Sequence, residues 1–593
     1  MRSYIAYIRT ALRLAARERV VVFFNYLFPL VFLLGLGELM GPVAVFALVL
    51  TLNILGTGFF GAGIRAAADR EAGILRRFKV APITPGPILV SSIVVGWIVF
   101  LPALAMFFGI LYFRNHMPMP HNPVSLFIFL SIGVVAFRAM GMIIASVVNS
   151  MQESQILVQL LYLPMLMLSG ATIPLTIMPD WLQVTAQFIP STYLTLGMQG
   201  ILLRGESLVQ NWQAVVALIV TAAVSLFVCA KLFRWEKEEK LKPAAKLWVL
   251  AALAPFLVVG AWQVRDRGNI RKVQILAHEA NRNAVWLVRD ARIFTGERVI
   301  ERGSLLLKGG RIVQIFEGEA PKAKDLGAEE IVASGKTVLP GLIDAETVLA
   351  LDAGLPPGSA KDALAIAERA LSAYLYSGVT GVGSAGLPAN VQGMITKRYE
   401  SGEKLGAAVL RSYDFAATQP CRFTLLTLSD AAAERESGRL DVLKDSLVQQ
   451  VAPHSLLTRL EAAYRTPEPR NAQMPRLDAA MRSLVTVQAG GTKLAAATLS
   501  GTPLLVHGPM VHREMQLLVQ AGLKPIEALK AATINAATCL GAGDRAGSLK
   551  VGGPATLIVV DGNPLEEIAS TEHVTTVFFN GELVRRGELI AQK

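Results

Sequence analysis

Residues 42–64 read PVAVFALVLTLNILGTGFFGAGI, and residues 65–82 continue as RAAADREAGILRRFKVAP. The first stretch contains no charged residue and is close to the ~20 residues that cross ~30 Å of hydrocarbon. The second stretch is rich in Arg and Lys, which collect in the cytoplasmic loops of membrane proteins. Together they predict a membrane span that ends on the cytoplasmic side in a charged segment.

The same alternation of apolar run and polar break fills residues 20–235. Besides residues 42–64, the apolar runs are residues 20–36, 88–113, 123–148, 156–177 and 212–233. Basic residues gather before the first run, after the second and after the sixth, whereas the opposite loops hold little beyond Arg114 and Arg204. The pattern therefore predicts six spans with both ends in the cytoplasm.

Residues 1–19 predict an amphipathic helix in the cytoplasmic interface. At 100° per residue Ile5, Ile8 and Leu12 share one face, and Arg9 and Arg13 share the opposite one. A helix with an apolar stripe and a basic stripe lies in the plane of the headgroups. It would lead into the first span.

Composition excludes an ordinary soluble enzyme and a disordered chain. The 593 residues are 53% hydrophobic and 17% charged, against about 25% charged in an average globular chain. The chain has a net charge of +12, and its basic residues in the first half lie between the apolar runs. This position favours a lipid bilayer over nucleic acid as the partner. Cys229, Cys421 and Cys539 form no Cys-x-x-Cys pair, so we expect no disulfide framework, no zinc site, and isolated packing cysteines at 421 and 539.

Two features within the spans go beyond hydropathy. Glycine and proline interrupt the fifth run at membrane depth, which is tolerated only inside protein or beside a water-filled path. This outer segment, residues 170–193, includes Gly170, Pro174, Pro179, Trp181, Pro190 and Tyr193. Arg138 lies in the middle of the fourth run, where a charge is costly. It either faces a substrate path or makes a structural pairing.

Residues 1–235 resemble the permease subunit of type-2 ABC exporters. The resemblance rests on the outer segment and on a coupling segment, residues 70–82, that docks onto the ATPase in that family. The matching positions of the coupling segment are Arg70, Glu71, Gly73, Leu75, Arg77 and Pro82. The resemblance implies a separate ABC ATPase subunit and a second permease copy, with a homodimer expected.

The chain lacks a phosphate-binding loop of its own. Such a loop needs Gly-x-x-x-x-Gly-Lys-Ser/Thr, and Gly335-Lys336-Thr337 fails because Glu330 stands at the first glycine. We therefore expect no cofactor on this chain and ATP used by the partner subunit.

Residues 236–267 form a basic linker followed by a seventh, shorter apolar run, residues 247–262. Tryptophans flank this run, and a thin bilayer accommodates so short a span. If it crosses, everything after it lies outside the cytoplasm. The alternative is an interfacial helix that leaves the C-terminal half inside.

Residues 268–593 change to the pattern of an α/β chain. Short strands fill residues 285–340 and 547–589, with hairpin turns at Gly309-Gly310 and Asn580-Gly581. This half resembles the amidohydrolase superfamily, through Leu339-Pro340-Gly341-Leu342-Ile343-Asp344-Ala345, His507-Gly508-Pro509 and the residues that follow. The resemblance implies a (β/α) barrel over residues 341–546, here shortened, beside a small composite β-sandwich built from the two flanking stretches.

The resemblance also implies metal-dependent cleavage of C–N bonds, but the ligands differ. The family places His-x-His after Ile-Asp-Ala, where this chain has Glu346 and Val348, and a catalytic Asp where this chain has Leu499. Asp344 and Leu499 are also closer together than the ~250 residues of a complete barrel allow. Glu346 with His507 and His512 could form a different metal site.

The sequence thus predicts a multi-pass protein of the plasma (inner) membrane. Its function would be that of an export permease subunit, with an inactive amidohydrolase-like domain outside the cytoplasm. The alternative is a membrane-anchored, metal-dependent amidohydrolase, and a third interpretation is a scaffold without transport.

Overall fold

A computed structural model describes residues 2–15, 22–37, 40–75, 85–115, 117–236, 248–355, 359–413, 421–469 and 474–590. The chain divides into two compact units, Met1–Ala280 and Asn281–Lys593. Each unit is considered by itself.

The first unit is built from helices throughout the residues that are described. They are α1 Arg2–Ala15, α2 Phe23–Leu36, α3 Pro42–Glu71, α4 Pro85–Arg114, α5 Pro123–Val147, α6 Met151–Met167, α7 Asp180–Ala186, α8 Pro190–Arg204, α9 Trp212–Leu232, α10 Trp248–Asp266 and α11 Gly268–Arg282. Among the described residues, α3, α4, α5 and α9 are long and apolar enough to cross a membrane. The predicted first and fifth spans correspond to the shorter helices α2 and α6.

Helix α3 extends beyond the predicted span, residues 42–64. It continues through a π-helical stretch, Phe59–Ile64, to Glu71. Gly73 then adopts a φ of +69°, a left-handed conformation that suits glycine. The first two residues of the coupling segment, Arg70 and Glu71, therefore belong to the same helix as the apolar run.

Glycines bring α3 and α5 into backbone contact. A Cβ built on Gly141 of α5 would lie 2.0 Å from the carbonyl oxygen of Gly58 of α3. A Cβ on Gly58 would lie 2.6 Å from the carbonyl oxygen of Phe137. Small residues allow such close approach between membrane helices, where packing rather than the hydrophobic effect drives association. This crossing fixes the two central helices of the unit.

The seventh apolar run forms α10, which packs along α9 in the antiparallel direction. Trp262 near the end of α10 lies 6.1 Å from Trp212 at the start of α9, measured between ring centroids. Gln263 Nε2 donates to Gln213 Oε1 at 3.1 Å. Phe256 is buried in the core of the unit, beside Tyr193. The end of α10 therefore lies at the same end of the bundle as the beginning of α9.

The second unit begins and ends in one eight-stranded sheet. Its strands are β1 Trp286–Phe294, β2 Val299–Lys308, β3 Arg311–Glu317, β4 Glu329–Val332, β5 Lys336–Pro340, β11 Leu557–Asp561, β12 Val574–Phe579 and β13 Glu582–Leu583. The order is β13-β12-β11-β5-β1-β2-β3, with β4 beside β1. Both stretches predicted to form the β part thus contribute strands to it.

The sheet differs from the expected sandwich because its strands are hydrogen-bonded in one continuous path. Its core joins Ile312 of β3 to Phe578 of β12, at opposite ends of that path, so the sheet curls around its own interior. The predicted hairpin turns have the required left-handed backbone, with φ of +56° and +77° at Gly309 and Gly310 and +51° and +81° at Asn580 and Gly581.

Between these flanks lie five short parallel strands and their helices. The strands are β6 Leu342–Thr347, β7 Val379–Ala385, β8 Ala408–Tyr413, β9 Cys421–Phe423 and β10 Lys493–Ala495. The helices are α12 Ala360–Tyr376, α13 Ala389–Glu400, α14 Leu426–Ser437, α15 Ser446–Val451, α16 His454–Tyr464, α17 Leu477–Ala489, α18 Met510–Gln520, α19 Pro525–Lys530 and α20 Ala536–Cys539. A further helix, α21 Arg586–Ile590, follows β13.

Strands β6, β7 and β8 form one ladder and β9 and β10 another. A hydrogen bond from Ala345 N to Ala496 O and a bridge between Thr347 and Ser500 connect the two ladders. The described part of the chain therefore contains five strands of this kind, where a complete barrel has eight.

A disulfide links Cys421 of β9 to Cys539 of α20. This overturns the expectation that both cysteines are isolated packing residues. They are 118 residues apart in sequence, and only the fold brings them together. Cys229 is free and buried.

Candidate functional sites

The end of α3 is joined to the junction between α5 and α6. Arg70 Nη1 and Nη2 donate to the carbonyl oxygens of Ala145 and Val148 at 2.6 and 2.5 Å. Glu71 Oε2 accepts from Met151 N, at the start of α6, at 2.8 Å. Carbonyls at a helix C-terminus lack intrahelical donors, and the guanidinium group supplies them.

A second arginine, which follows α9, reaches the same end of α5 and shares the Val148 carbonyl with Arg70. Arg234 Nε donates to Ser146 O at 3.1 Å, its Nη1 donates to Asn149 Oδ1 at 3.0 Å, and its Nη2 donates to Val148 O. Arg70 and Arg234 are both buried. Through Arg70 and Glu71, a displacement of the end of α3 would therefore act directly on α5 and α6.

The remaining positions of the coupling segment are only partly described. Leu75 is buried and Gly73 forms the turn after α3. Arg77 and Pro82 lie outside the described residues.

The outer segment begins where α6 ends, and hydroxyl groups satisfy the carbonyls that become free there. Ser191 Oγ donates to Met165 O at 2.5 Å, and Thr192 Oγ1 donates to Leu168 O at 3.2 Å. Ser169 Oγ and Thr172 Oγ1 both donate to Leu166 O. A broken helix at membrane depth needs such internal partners.

The six residues singled out in the outer segment occupy its turns and its surface. Gly170 has a φ of +81°, Pro174 precedes a 3₁₀ turn, Leu175–Ile177, and Pro179 precedes α7. Pro190 is the first residue of α8. Trp181 is exposed, whereas Tyr193 is buried and donates to Gln187 O at 2.7 Å.

Arg138 lies on α5, and its side chain extends toward α3 and α4. Its side chain is 6% exposed. Nη1 donates to Thr57 O at 3.1 Å and Nη2 to Ser92 Oγ at 3.2 Å, whereas Nε has no hydrogen-bond partner within the described residues. A Cβ on Gly96 would lie 2.1 Å from Arg138 Cδ, so glycine makes the room that the arginine occupies.

Arg138 lines a cavity of about 600 Å³ inside the first unit, which we call the Arg138 cavity. Aliphatic side chains of α4, among them Ile88, Leu89 and Val95, form much of its wall, and Thr10, Ala11 and Leu14 of α1 contribute as well. Its polar lining residues are Asn25, Arg65, Asp69, Arg70, Ser92, Arg138, Ser146 and Arg234. Arg65 Nε and Asp69 Oδ1 form an ion pair at 3.3 Å.

In the second unit, Asp344 of β6 lies at the centre of a hydrogen-bond network. Its carboxylate accepts from Thr498 N at 3.0 Å, Thr498 Oγ1 at 2.5 Å, Tyr374 OH at 2.8 Å and Glu346 N at 3.3 Å. Burial raises the pKa of Asp344 to about 7, while the hydrogen bonds from Thr498 and Tyr374 act in the opposite direction. Thr498 Oγ1 lies 2.7 Å from Ser500 Oγ.

Both ring nitrogens of His507 and of His512 have partners within the fold. His507 Nε2 lies 2.9 Å from Leu351 O and its Nδ1 3.3 Å from Thr347 Oγ1. His512 Nε2 lies 2.8 Å from Ser377 O and its Nδ1 3.1 Å from Thr571 Oγ1. Burial lowers the pKa of each imidazole to about 4.

These residues do not fit the divalent metal that the amidohydrolase resemblance implies. Val348 offers no donor atom, and the imidazoles of His507 and His512 are committed to protein partners. Glu346 is buried, and burial raises its pKa to about 6. Among the described residues, no group of three or more His, Cys, Asp and Glu side chains could hold a metal ion. The alternative set of Glu346, His507 and His512 is thus not brought together.

Leu499, at the position of the family's catalytic Asp, has a φ of +53°. Its N–H donates to Glu346 O at 2.9 Å. This left-handed conformation is unusual for leucine, and the side chain provides no group that could take a proton.

Sequence reasoning missed the partners of the buried carboxylates. Tyr374, Thr498 and Ser500 surround Asp344. Glu514 of α18 accepts from Leu426 N at 2.8 Å and Thr427 N at 2.7 Å, which caps α14. A buried Asp in an apolar strand signals that donors exist, but it does not say where in the chain they are.

The two halves of the chain match different protein families. Residues 2–203 match the family model of the ABC-2 type transporter, and residues 483–584 match that of the amidohydrolase family. The inner membrane transport permease YhhJ of Escherichia coli (strain K12) is 25% identical over 202 residues, which are 34% of this chain and 51% of the relative.

The second half is similar to other proteins. The imidazolonepropionase of Thermoplasma volcanium is 32% identical over 103 residues, covering 17% of this chain and 25% of the relative. A solved structure of a Xaa-Pro dipeptidase with bound methionine overlaps 51% of this chain and all of its own, at 18% identity and a TM-score of 0.38. The chain spans about half the length of the curated permease that it matches.

The first half is thus a multi-pass membrane domain of the permease class. The chain as a whole joins an ABC-2 type transporter permease domain to an amidohydrolase-like domain.

Proposed function

We propose that this protein is the permease subunit of an ATP-driven ABC exporter of the inner membrane. In this proposal a separate ABC ATPase binds the coupling segment, and a second copy of the chain completes the pore through six spans per copy. The observation that supports it is the connection of α3 to α5 through Arg70 and to α6 through Glu71. A push on the end of α3 would reach two spans without a flexible link between them.

The test is to purify the chain with its ATPase and measure ATP hydrolysis by the complex. Glu71→Ala removes the acceptor of Met151 N, so we expect the complex to form while its stimulated hydrolysis falls at least severalfold. Glu71→Gln keeps an acceptor oxygen and should retain more of the stimulation. Asp180→Ala, at the start of α7, is the matched control. Equal stimulation in all variants would contradict the coupling role.

We place the C-terminal domain outside the cytoplasm. Two observations support this. Helix α10 ends beside the beginning of α9, which is the outer end of that span if the N-terminus is cytoplasmic. The Cys421–Cys539 disulfide belongs to an oxidising compartment, because cytosolic thiols are kept reduced.

Labelling of single introduced cysteines tests the orientation. Val332 is 62% exposed in the second unit, and Val332→Cys should react with a membrane-impermeant maleimide in intact cells. Arg9→Cys on α1 should react only after lysis. Labelling of Val332→Cys only after lysis would place the domain inside.

We further propose that the amidohydrolase-like domain lacks metal-dependent hydrolysis. The donor set around Glu346, Val348 and Leu499 supports this. Metal analysis of the full chain purified from zinc- and manganese-rich medium should find well under one divalent ion per chain. One tightly bound ion per chain, lost in His507→Ala, would instead favour a membrane-anchored amidohydrolase.

A further inference from the structure

Arg138 is a buried cation that the described fold satisfies incompletely. Its guanidinium makes two hydrogen bonds to neutral oxygens, Nε has none, and no ion pair of Arg138 occurs among the described residues. A charge at membrane depth is costly unless it is paired or faces a pathway. The described fold therefore leaves the charge of Arg138 without a counter-ion.

The space beside Arg138 has the size of a ligand site. The Arg138 cavity of about 600 Å³ falls within the ~300–1,000 Å³ that small-molecule sites occupy. The cavity reaches from Arg138 to Ala145 and Ser146, which is about 10 Å along α5 at 1.5 Å per residue. Its length would accommodate an elongated molecule.

The lining tells which chemistry the site would accept. Arg65 is paired with Asp69, and Arg70 and Arg234 bind the carbonyls at the end of α5, so the cavity has an excess of positive charge. The walls next to Arg138 are aliphatic side chains of α4 and the close contacts at Gly96 and Gly61. The combination suits an apolar body with one anionic head.

The π-helical stretch of α3 lies at the same place. Phe59–Ile64 follows Thr57, whose carbonyl oxygen accepts from Arg138, and Gly61 of this stretch lines the cavity. Single π-helical turns inside α-helices occur frequently at functional sites. The helix that carries the coupling segment is thus also the helix that contacts Arg138.

We infer that the Arg138 cavity binds a small anionic amphiphile, with a phosphate, sulfate or carboxylate head against the Arg138 guanidinium group and an apolar body along α4. The molecule is either cargo in transit or a lipid of the surrounding bilayer. Only the cargo assignment rests on the proposed export function.

Native mass spectrometry of the full chain in a neutral detergent tests the site with dodecyl phosphate as the probe and dodecanol as its uncharged counterpart. We expect one dodecyl phosphate per chain and no comparable binding of dodecanol. Arg138→Gln should weaken dodecyl phosphate binding by about tenfold or more, because it removes a charge-assisted contact. Arg204→Gln, outside the cavity, should leave binding unchanged.

A second variant keeps the test valid if Arg138→Gln fails to fold. Ala66 lines the cavity, and Ala66→Leu fills space without changing charge or helix propensity, so it should also weaken binding. Dodecyl phosphate should raise the melting temperature of the native chain but not of Arg138→Gln. Equal binding by the native chain, Arg138→Gln and Ala66→Leu would overturn the site.

Two further measurements separate the sources. Anionic phospholipid that co-purifies with the native chain and is lost in Arg138→Gln identifies a bilayer lipid. Stimulation of ATP hydrolysis by dodecyl phosphate in the complex with the ATPase identifies cargo. Binding without any ATPase coupling would leave the site standing and contradict the cargo assignment, whereas ATPase coupling without binding at Arg138 would support the export function and overturn the site.

Discussion

The two halves of the molecule surround a buried ionisable side chain in opposite ways. Asp344 in the second unit receives hydrogen bonds from Thr498, Tyr374 and Glu346. Arg138 in the first unit has an unpartnered Nε among the described residues and a cavity beside it. The first charge is enclosed by its own fold, and the second leaves room for another molecule.

The hydrogen-bonding capacity that each side chain has left determines whether it can still bind a ligand. A carboxylate whose lone pairs are all used stabilises a fold but has little capacity left for a metal or a reacting water. An unsatisfied donor at membrane depth costs free energy, which a ligand can recover. In the amidohydrolase-like half, the fold's own donors thus surround Asp344, whereas Arg138 in the permease half lies beside a cavity.

The largest effect is expected from removing the enclosed carboxylate. Asp344→Ala should destabilise the second unit by about 4–5 kcal/mol, because several buried donors lose their acceptor. Hydrogen exchange of β6 and α12 in the full chain measures this. Asp344→Asn should cost less, and Asp544→Ala, at an exposed residue, should cost almost nothing. A small effect of Asp344→Ala would mean that this centre is not enclosed.

The second-largest loss of stability is expected from removing the disulfide. Cys421→Ser should cost about 3–4 kcal/mol, because the bond closes a 118-residue loop in the unfolded chain. A reductant should weaken the native second unit by a similar amount. Cys229→Ser, which changes only the free cysteine, serves as the control. Identical hydrogen exchange with and without reductant would contradict the bond.

His512 should make the stability of the second unit depend on pH. The pKa of His512 falls from its ordinary 6.5 to about 4 on burial, so the uncharged ring favours the folded state. The stability that this provides is present above pH 6.5 and is lost as the pH falls toward 4, by at most about 3 kcal/mol. The stability difference between the native chain and His512→Gln, followed by hydrogen exchange of α18, should shrink over this window. A stability difference that stays constant over this window would contradict the burial of an uncharged ring at His512.

The smallest effect is expected at the helix crossing of the first unit. Gly141→Ala places a Cβ 2.0 Å from Gly58 O, and separating the helices should cost about 2 kcal/mol. Thermal unfolding in detergent should show a lower midpoint. Gly35→Ala, with no atom within 4 Å of the added Cβ, should leave the midpoint unchanged or raise it. Equal behaviour of the two variants would argue against the close crossing.

Sequence reasoning identified what depends on local composition. Apolar runs located α3, α4, α5 and α9, since hydrocarbon requires ~20 apolar residues in a row. Paired Gly-Gly and Asn-Gly residues located the hairpins, since few residues tolerate a positive φ. The sequence also showed Arg138 within an apolar run and Val348 where the family has a histidine. Each observation needs only the residue type at a known position.

What depends on distant segments became evident only in the tertiary structure. The sequence placed the end of an apolar run at residue 64, whereas the helix itself continues to Glu71. Cys421 and Cys539 are distant in sequence and were predicted to be isolated, because a disulfide requires proximity that no local pattern encodes. The acceptors of Arg138 and the donors that Tyr374 and Thr498 offer to Asp344 come from segments tens to more than a hundred residues away, so only the folded chain brings them together.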